Sequence, residues 1–234
     1  MIGIIGAMST EVDGLRAMLS DRKDRKICGI KFSRGKLSGA DVVIAQSGVG
    51  KVMASMCAAA MCFRFRPSLL INTGVAGAVD PTLRIGDIVV SEGAAQHDFD
   101  TSAIDGTPKG WNQALGTVVV KADEAAASVL IKTALKEGLS AKPGIVVSGD
   151  QFISDNEKKA ELADVFGASV CEMEGAAIAA VAAFNRVPFV ILRAVSDGAD
   201  ADALMDFPAF CELAAGNSIK VLSSAVPELS EHYK

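Results

Sequence analysis

Three carboxylates, Glu11, Glu174 and Asp197, stand where this sequence could do acid–base chemistry. Glu174 and Asp197 each close an apolar run, Ala168-Ser169-Val170-Cys171-Glu172-Met173-Glu174 and Pro188-Phe189-Val190-Ile191-Leu192-Arg193-Ala194-Val195-Ser196-Asp197. Both runs read as buried parallel strands, and α/β folds bind ligands in the crevice at the carboxyl ends of such strands. An acid delivered there is costly to desolvate, so it pairs with a partner or a substrate. Glu11 follows the apolar stretch Ile2-Gly3-Ile4-Ile5-Gly6. Three acids on one rim with few cations nearby suit proton transfer on a neutral polar molecule.

Spacing refines these roles. Glu172 and Glu174 lie two apart, so an extended backbone aims both to one side. Glu174 then opens an Ala-rich helix whose dipole favours its ionised form. An ionised carboxylate accepts two hydrogen bonds, the geometry that grips a vicinal diol, and stabilisation of the helix start explains it equally well. Asp197 has rivals in Asp200, Asp202 and Asp206. The segment 200–204 lacks the Gly and distal Glu of a calcium loop, and Asp206 reads as the N-cap of the last helix. That leaves Asp197, fixed to a buried strand and preceded by Ser196.

Two glycine-rich turns accompany the acids. Ser47-Gly48-Val49-Gly50-Lys51 fails the phosphate-loop pattern, because Ala45 stands at the first Gly position and Val52 at the Ser/Thr position. It reads as a tight strand-to-helix turn whose amides approach a ligand. Asn72-Thr73-Gly74-Val75-Ala76-Gly77-Ala78 reads as a second turn, with side chains small enough for backbone N–H groups to come close to a ring or sugar. His97-Asp98 lacks a nucleophile elbow to complete a triad, so His97 is read as structural.

Half of the 234 residues are apolar and 5% aromatic, so the core is built from Ala, Val, Ile, Leu and Met. A net charge of −5 and a pI near 5.1 argue against nucleic acid, which needs a basic face. No apolar stretch approaches the ~18–20 residues that span a bilayer, so no membrane role is expected. The start lacks a basic leader and a cleavage site. Five cysteines without a CxxC pair, each in or beside an apolar segment, read as reduced, buried thiols of a cytoplasmic protein. Two histidines exclude a three-histidine zinc site.

Positioning these residues requires alternating elements. The patterns predict strands over Ile2–Gly6, Val42–Gln46, Leu69–Thr73, Asp87–Val90, Val118–Lys121, Ile145–Ser148, Ser169–Met173 and Phe189–Val195, with an edge pair between Gly29 and Leu37. Helices are predicted over Glu11–Ser20, Lys51–Phe65, Glu124–Glu137, Asn156–Val165, Gly175–Asn185 and Phe207–Val226. Asp123 and Asp155 read as N-caps, and Gly138 as a helix stop. The segment from His97 to Leu115 reads as a long functional or interfacial loop. This alternation predicts an α/β fold: a single three-layer αβα domain over 1–234 around a central, mostly parallel, twisted mixed sheet.

Taken together, the motifs resemble the 5′-methylthioadenosine/S-adenosylhomocysteine nucleosidases of the nucleoside phosphorylase/hydrolase superfamily. The residues are Ile4-Ile5-Gly6-Ala7-Met8 with Glu11, Ser47 to Lys51, Asn72-Thr73-Gly74 with Ala76-Gly77, Pro81-Thr82-Leu83 with Gly86 to Val90, His97-Asp98, Ser148-Gly149-Asp150 with Phe152-Ile153, Glu172-Met173-Glu174, and Arg193-Ala194 with Ser196-Asp197. The resemblance runs nearly end to end. It implies a nucleoside phosphorylase-like fold and hydrolysis of the bond joining adenine to a 5′-thio-substituted ribose. Asp197 would be the general acid at adenine N7, Glu11 the base that activates water, and Glu174 the clamp on the 2′- and 3′-hydroxyls. Substrate contacts would come from Val75, Ala76 and Gly77, from Ile153 beside the backbone of Phe152, from Glu172, Arg193 and Ser196, and from Met173 against the ribose. Met8 and Phe207 would line the thioalkyl end.

The resemblance further implies a homodimer without metal or other cofactor. A loop carrying Thr101 and Ile104 would reach the partner's site. Two positions depart from the pattern. Val75 stands where relatives often have Ser, and the stretch 101–109 replaces a more aromatic loop. Rival readings are a 6-amino-6-deoxyfutalosine hydrolase, a phosphorolytic nucleoside phosphorylase and a silent nucleoside-binding relative.

Overall fold

The computed structural model describes residues 1–200 and 203–234, so Asp202 lies outside the described residues. Its strands are β1 (Ile2–Gly6), β2 (Ser20–Ile27), β3 (Ile30–Leu37), β4 (Ala40–Gln46), β5 (Leu69–Ala78), β6 (Ile88–Gln96), β7 (Val120–Lys121), β8 (Ala141–Ser148), β9 (Ala168–Glu172) and β10 (Phe189–Asp197). The helices are α1 (Ser9–Ala17), α2 (Lys51–Phe65), α3 (Ser102–Asp105), α4 (Glu124–Lys136), α5 (Asn156–Phe166), α6 (Gly175–Phe184) and α7 (Ala203–His232). As expected, Asp123 and Asp155 cap α4 and α5, each accepting a backbone N–H.

All strands belong to one mixed sheet. β4, β1, β5 and β10 lie side by side in parallel, and β10 then meets β6 antiparallel. Pairing passes in parallel from β6 through β8 to β9, which returns antiparallel to the end of β5. Five strands thus close on themselves, and β1, β4, β3 and β2 extend from β5 as an open wing. Helices α1, α4 and α7 bury apolar side chains against one face, while α2 and α6 cover the other. Each Val, Ile or Leu so enclosed contributes about 1.5–3 kcal/mol of burial.

The split along β5 sets the site. β10 holds one edge of β5 from Leu70 to Gly77. On the other edge, β1 pairs with residues 69–72 and β9 only with Gly77 and Ala78. Between them, residues 73–76 have no strand beside them, and an N–H there is free to meet a side chain or a ligand.

Several expectations change. The segment from Gly74 to Ala78 is not a turn but the second half of β5, buried throughout. β9 is parallel to β8 but antiparallel to β5, so Glu172 arrives from the opposite direction to Asp197. α7 begins at Ala203, which puts Asp206 inside its first turn rather than at its N-cap. β2 is a strand whose residues are nearly all exposed, and its cationic side chains protect a sheet edge. Its hairpin to β3 turns at Cys28 (φ 49°) and Gly29 (φ 78°), both left-handed as a type I′ turn requires. Cys28 is therefore exposed, whereas the other four thiols are buried. The loop from His97 to Leu115 contains the short helix α3 and an Asn112–Thr117 bridge at its end.

Candidate active site

Glu11 owes its position to the start of α1. It is the third helical residue and reaches back so that Oε2 accepts from the N–H groups of Ala7 (2.6 Å) and Met8 (2.9 Å). Oε1 accepts from Val75 N (3.1 Å), one of the β5 amides without a strand partner. A carboxylate has about four acceptor positions, so one remains open. Glu11 is 2% exposed, and burial raises its pKa against the opposing pull of Arg193 and the three amides. Gly74 makes this approach possible, because a Cβ there would overlap both Glu11 Oε1 and Arg193 Nη1.

Asp197 is aimed by an irregularity in β10. Val195 pairs with Ala76 and Asp197 with Gly77, so Ser196 is an extra residue, a bulge of the kind that re-aims a side chain. Ser196 Oγ donates to Asp197 Oδ2 (2.8 Å) and Ala199 N to Oδ1 (2.9 Å). Burial raises the pKa of Asp197 despite these two bonds, and the negative charges of Asp206 and Asp200 add to the rise.

Glu172 and Glu174 divide the two roles that the sequence left open. Glu172, at the end of β9, takes the helix: its oxygens accept from the N–H groups of Glu174 and Gly175 (2.8–3.0 Å) and from Ser148 Oγ. It also pairs with Arg193 Nη2, which donates to Asn72 Oδ1 (2.6 Å) as well. Glu174 makes no cap hydrogen bond. Its Oε1 accepts from Gly50 N (2.8 Å) across the sequence, and Oε2 lies 3.7 Å from Arg193. Burial, then the charge of Glu172, raises Glu174 to about 7, the reverse of the depression expected from the helix dipole. Arg193 is fully buried, with Nε and Nη1 lacking a partner.

These groups border one cavity of about 270 Å³. Met8, Glu11, Val75, Ala76, Gly77, Phe152, Ile153, Glu172, Met173, Glu174, Ser196, Asp197 and Phe207 all line it. Phe152 and Phe207 meet edge to face with ring centroids 5.5 Å apart, closing its apolar end. Arg193 does not line the cavity; it braces the acids from behind. Thr101 and Ile104 are not brought to it either. Thr101 bonds with Asp105 and Thr107, and Ile104 is 88% exposed on α3. Ala7, Val49, Gln151 and Cys171 complete the lining and were not singled out as contacts. Val49 in its glycine turn, Ala7 before Met8 and Cys171 in the run that Glu174 closes lay in stretches that carried a signal, whereas Gln151 has no pattern of its own. Among the described residues, the lining contains no Lys, Arg or His.

The chain belongs to the phosphorylase superfamily, whose family model matches residues 1–227. Among its relatives, the 5′-methylthioadenosine/S-adenosylhomocysteine nucleosidase of Actinobacillus succinogenes is 40% identical over 229 residues, 97% of this chain and 99% of that protein. The crystal structure of the nucleosidase of the same name from Colwellia psychrerythraea, in complex with adenine, has a TM-score of 0.92 at 36% identity, over 97% of this chain and 95% of that one. The futalosine hydrolase of Helicobacter pylori also matches with a TM-score of 0.92, at 34% identity over 97% of each chain.

Proposed function

We propose that this protein is an N-ribosyl hydrolase that releases adenine from 5′-methylthioadenosine and S-adenosylhomocysteine. One observation carries the reading. Glu11 is bound to Val75 and Asp197 lies beside Gly77, two residues further along β5, so about 7 Å of strand separates the acids across a shared cavity. That span accommodates the bond between a sugar and a base, with one acid for each.

The chemistry follows from the charges. Asp197, whose pKa burial raises, gives the proton of its acid form to adenine N7, and the C1′–N9 electron pair leaves with the base. The ribose is left with oxocarbenium character. Water adds to C1′ from the other face as Glu11 takes one of its protons at the open Oε1 position. Arg193 Nη1 stands behind Gly74 and beside Glu11, outside the cavity lining, where its charge favours the ionised form of that carboxylate. Glu174 accepts from the 2′- and 3′-hydroxyls, while Met173, Val75, Ala76 and Gly77 pack around the sugar. The backbone between Phe152 and Ile153 reads the adenine edge, and Met8 and Phe207 take the thioalkyl group. Ser196 holds Asp197, and Glu172 with Arg193 fixes the clamp. Acid and base steps supply about 10²–10⁴-fold each.

Water rather than phosphate is the acceptor, because a phosphate dianion would meet an acidic lining that has no cation among the described residues. Adenine release in phosphate-free buffer without added metal tests this. Release that depends on phosphate, or no release at all, overturns it. A second reading, action on 6-amino-6-deoxyfutalosine, draws on the likeness to the Helicobacter pylori futalosine hydrolase. Comparing turnover of the three substrates decides between them.

The protein works as one domain and as a cytoplasmic homodimer, with the α3 loop carrying Thr101 and Ile104 set against the partner's cavity. The exposed apolar side chains of α2 support a subunit contact: Val52 is 77% and Phe63 87% exposed.

A further inference from the structure

Outside the cavity, three residues from three segments close a ring of hydrogen bonds. Lys51 Nζ, at the first position of α2, donates to Asp98 Oδ1 (2.5 Å), just after β6. Asp98 Oδ2 accepts from Asp150 N (2.9 Å), in the loop after β8. Asp150 Oδ1 accepts from Lys51 N (2.7 Å), which returns the ring to its start. Lys51 Nζ also donates to Gln96 Oε1 (3.1 Å). The pair is partly sheltered, with side chains 16% and 21% exposed, so it is stronger than an open surface ion pair. Burial opposes the charge on Asp98, yet Lys51 and the Asp150 amide together lower its pKa.

The ring stands one residue from Gly50, whose amide holds a cavity acid, and one residue from Gln151, which lines the cavity. Gly50, adjacent to Lys51, is left-handed (φ 96°), and its N–H donates to Glu174. Gln151, adjacent to Asp150, lines the cavity and leads directly to Phe152. Gly50 has no side chain of its own to hold its amide in that direction. A Cβ there would stand 3.0 Å from Asp150 Oδ1, so the ring is packed directly against it.

We infer that Asp98 is a positioning residue: through Lys51 and Asp150 it fixes the Gly50 amide on Glu174 and so sets the carboxylate that grips the ribose hydroxyls. The inference rests on the proposed nucleosidase reading for its link to catalysis, but its structural half stands apart from the substrate. None of the three ring residues lines the cavity.

The test compares Asp98→Ala, Asp98→Asn, Lys51→Met and Lys51→Arg with the unaltered protein by two measurements. The first is amide hydrogen exchange over residues 48–52. The second is kcat/KM for 5′-methylthioadenosine and for its 2′,3′-dideoxy analogue, which leaves Glu174 nothing to grip. Asp98→Ala and Lys51→Met are expected to speed exchange at Gly50 and to lower kcat/KM on the full substrate by about 10–100-fold, as misplacement by an ångström does. On the dideoxy analogue the change is expected to be under about threefold, because the misplaced clamp no longer matters. Lys51→Arg should recover most of the loss, and Asp98→Asn should fall between.

Equal losses on both substrates would mean that the ring only stabilises the fold, and would overturn the inference. Unchanged exchange at Gly50 in Asp98→Asn and Lys51→Met would also overturn it, even if Asp98→Ala did not fold. If the unaltered protein released no adenine, the substrate reading would fall. The exchange measurement would still decide whether Asp98 holds the Gly50 amide.

Discussion

Burial pushes both Asp197 and Glu11 upward, yet hydrolysis needs the first protonated and the second ionised. Their surroundings favour this division: Glu11 has Arg193 and three amides to favour its charge, whereas Asp197 has two donors and two neighbouring acids against it. The expected kcat/KM profile is a bell, falling at low pH as Glu11 and Glu174 take up protons and at high pH as Asp197 loses its own. A flat profile between pH 5 and 9 would contradict the assignment. Asp197→Asn and Glu11→Gln should each lower kcat by about 10²–10⁴-fold. Nucleoside binding, read by calorimetry, should persist in both. Glu174 makes a separate prediction about stability. Its pKa rises from an ordinary 4.5 to about 7, so its contribution is fully present below pH 4.5 and is lost as pH rises through 7. Glu174→Gln should therefore leave the chain more stable at pH 8 by on the order of 2 kcal/mol, with little change at pH 4. Equal denaturation midpoints at both pH values would refute that. The acids themselves were legible, since Glu174 and Asp197 each end an apolar run and Glu11 follows the first one. The sequence did not show which of Glu172 and Glu174 caps α6, because two carboxylates at that spacing suit either role until Gly50 and Ser148 are in place.

At the level of elements, the site depends on a strand that loses one neighbour before gaining another. β5 runs from Leu69 to Ala78, and its second half is too rich in Gly and Ala to read as a strand. Burial on both faces and pairing with β10 keep it extended. The same small residues let Glu11 and Arg193 close over Gly74. Gly74→Ala is expected to lower kcat/KM by about 100-fold, because the new methyl must displace a catalytic acid or its cation. Circular dichroism should still report the sheet; activity within threefold of the unaltered protein would disprove the close approach. Gly77→Ala should act more mildly, with its Cβ 2.7 Å from Asp197 Oδ1. Elements that are unbroken apolar or Ala-rich runs bounded by glycine or polar turns were readable: β1 and α2 match the predicted spans to the residue. β2 was missed because a strand with almost no buried residue has no apolar alternation to read. The bulge at Ser196 has no local signal either, since register belongs to two strands at once.

For the whole molecule, the outward face of α2 is the feature that a lone chain leaves unexplained. Val49 lines the cavity mouth, and Val52, Met53 and Met56 follow along α2, exposed by 77%, 37% and 36%. Soluble chains rarely leave such a row open, and a neighbour seated there would also border the cavity. The α3 loop adds Ile104, 88% exposed. Sequence could suggest that loop as interfacial from its length, but the apolar face of α2 only becomes visible once α6 has covered the opposite side. If two chains meet here, Val52→Asp with Met56→Asp should halve the sedimentation mass, because two carboxylates placed in an apolar contact cost several kcal/mol each unless they stay in water. The same variant should lose about tenfold in kcat/KM on 5′-methylthioadenosine, since part of the thioalkyl end would then open to solvent. Glu11, Asp197 and Glu174 lie within one chain, so residual turnover at that level is expected of the monomer. A double variant that sediments like the parent would place the subunit contact elsewhere. One that becomes monomeric at full activity would remove the partner from the site.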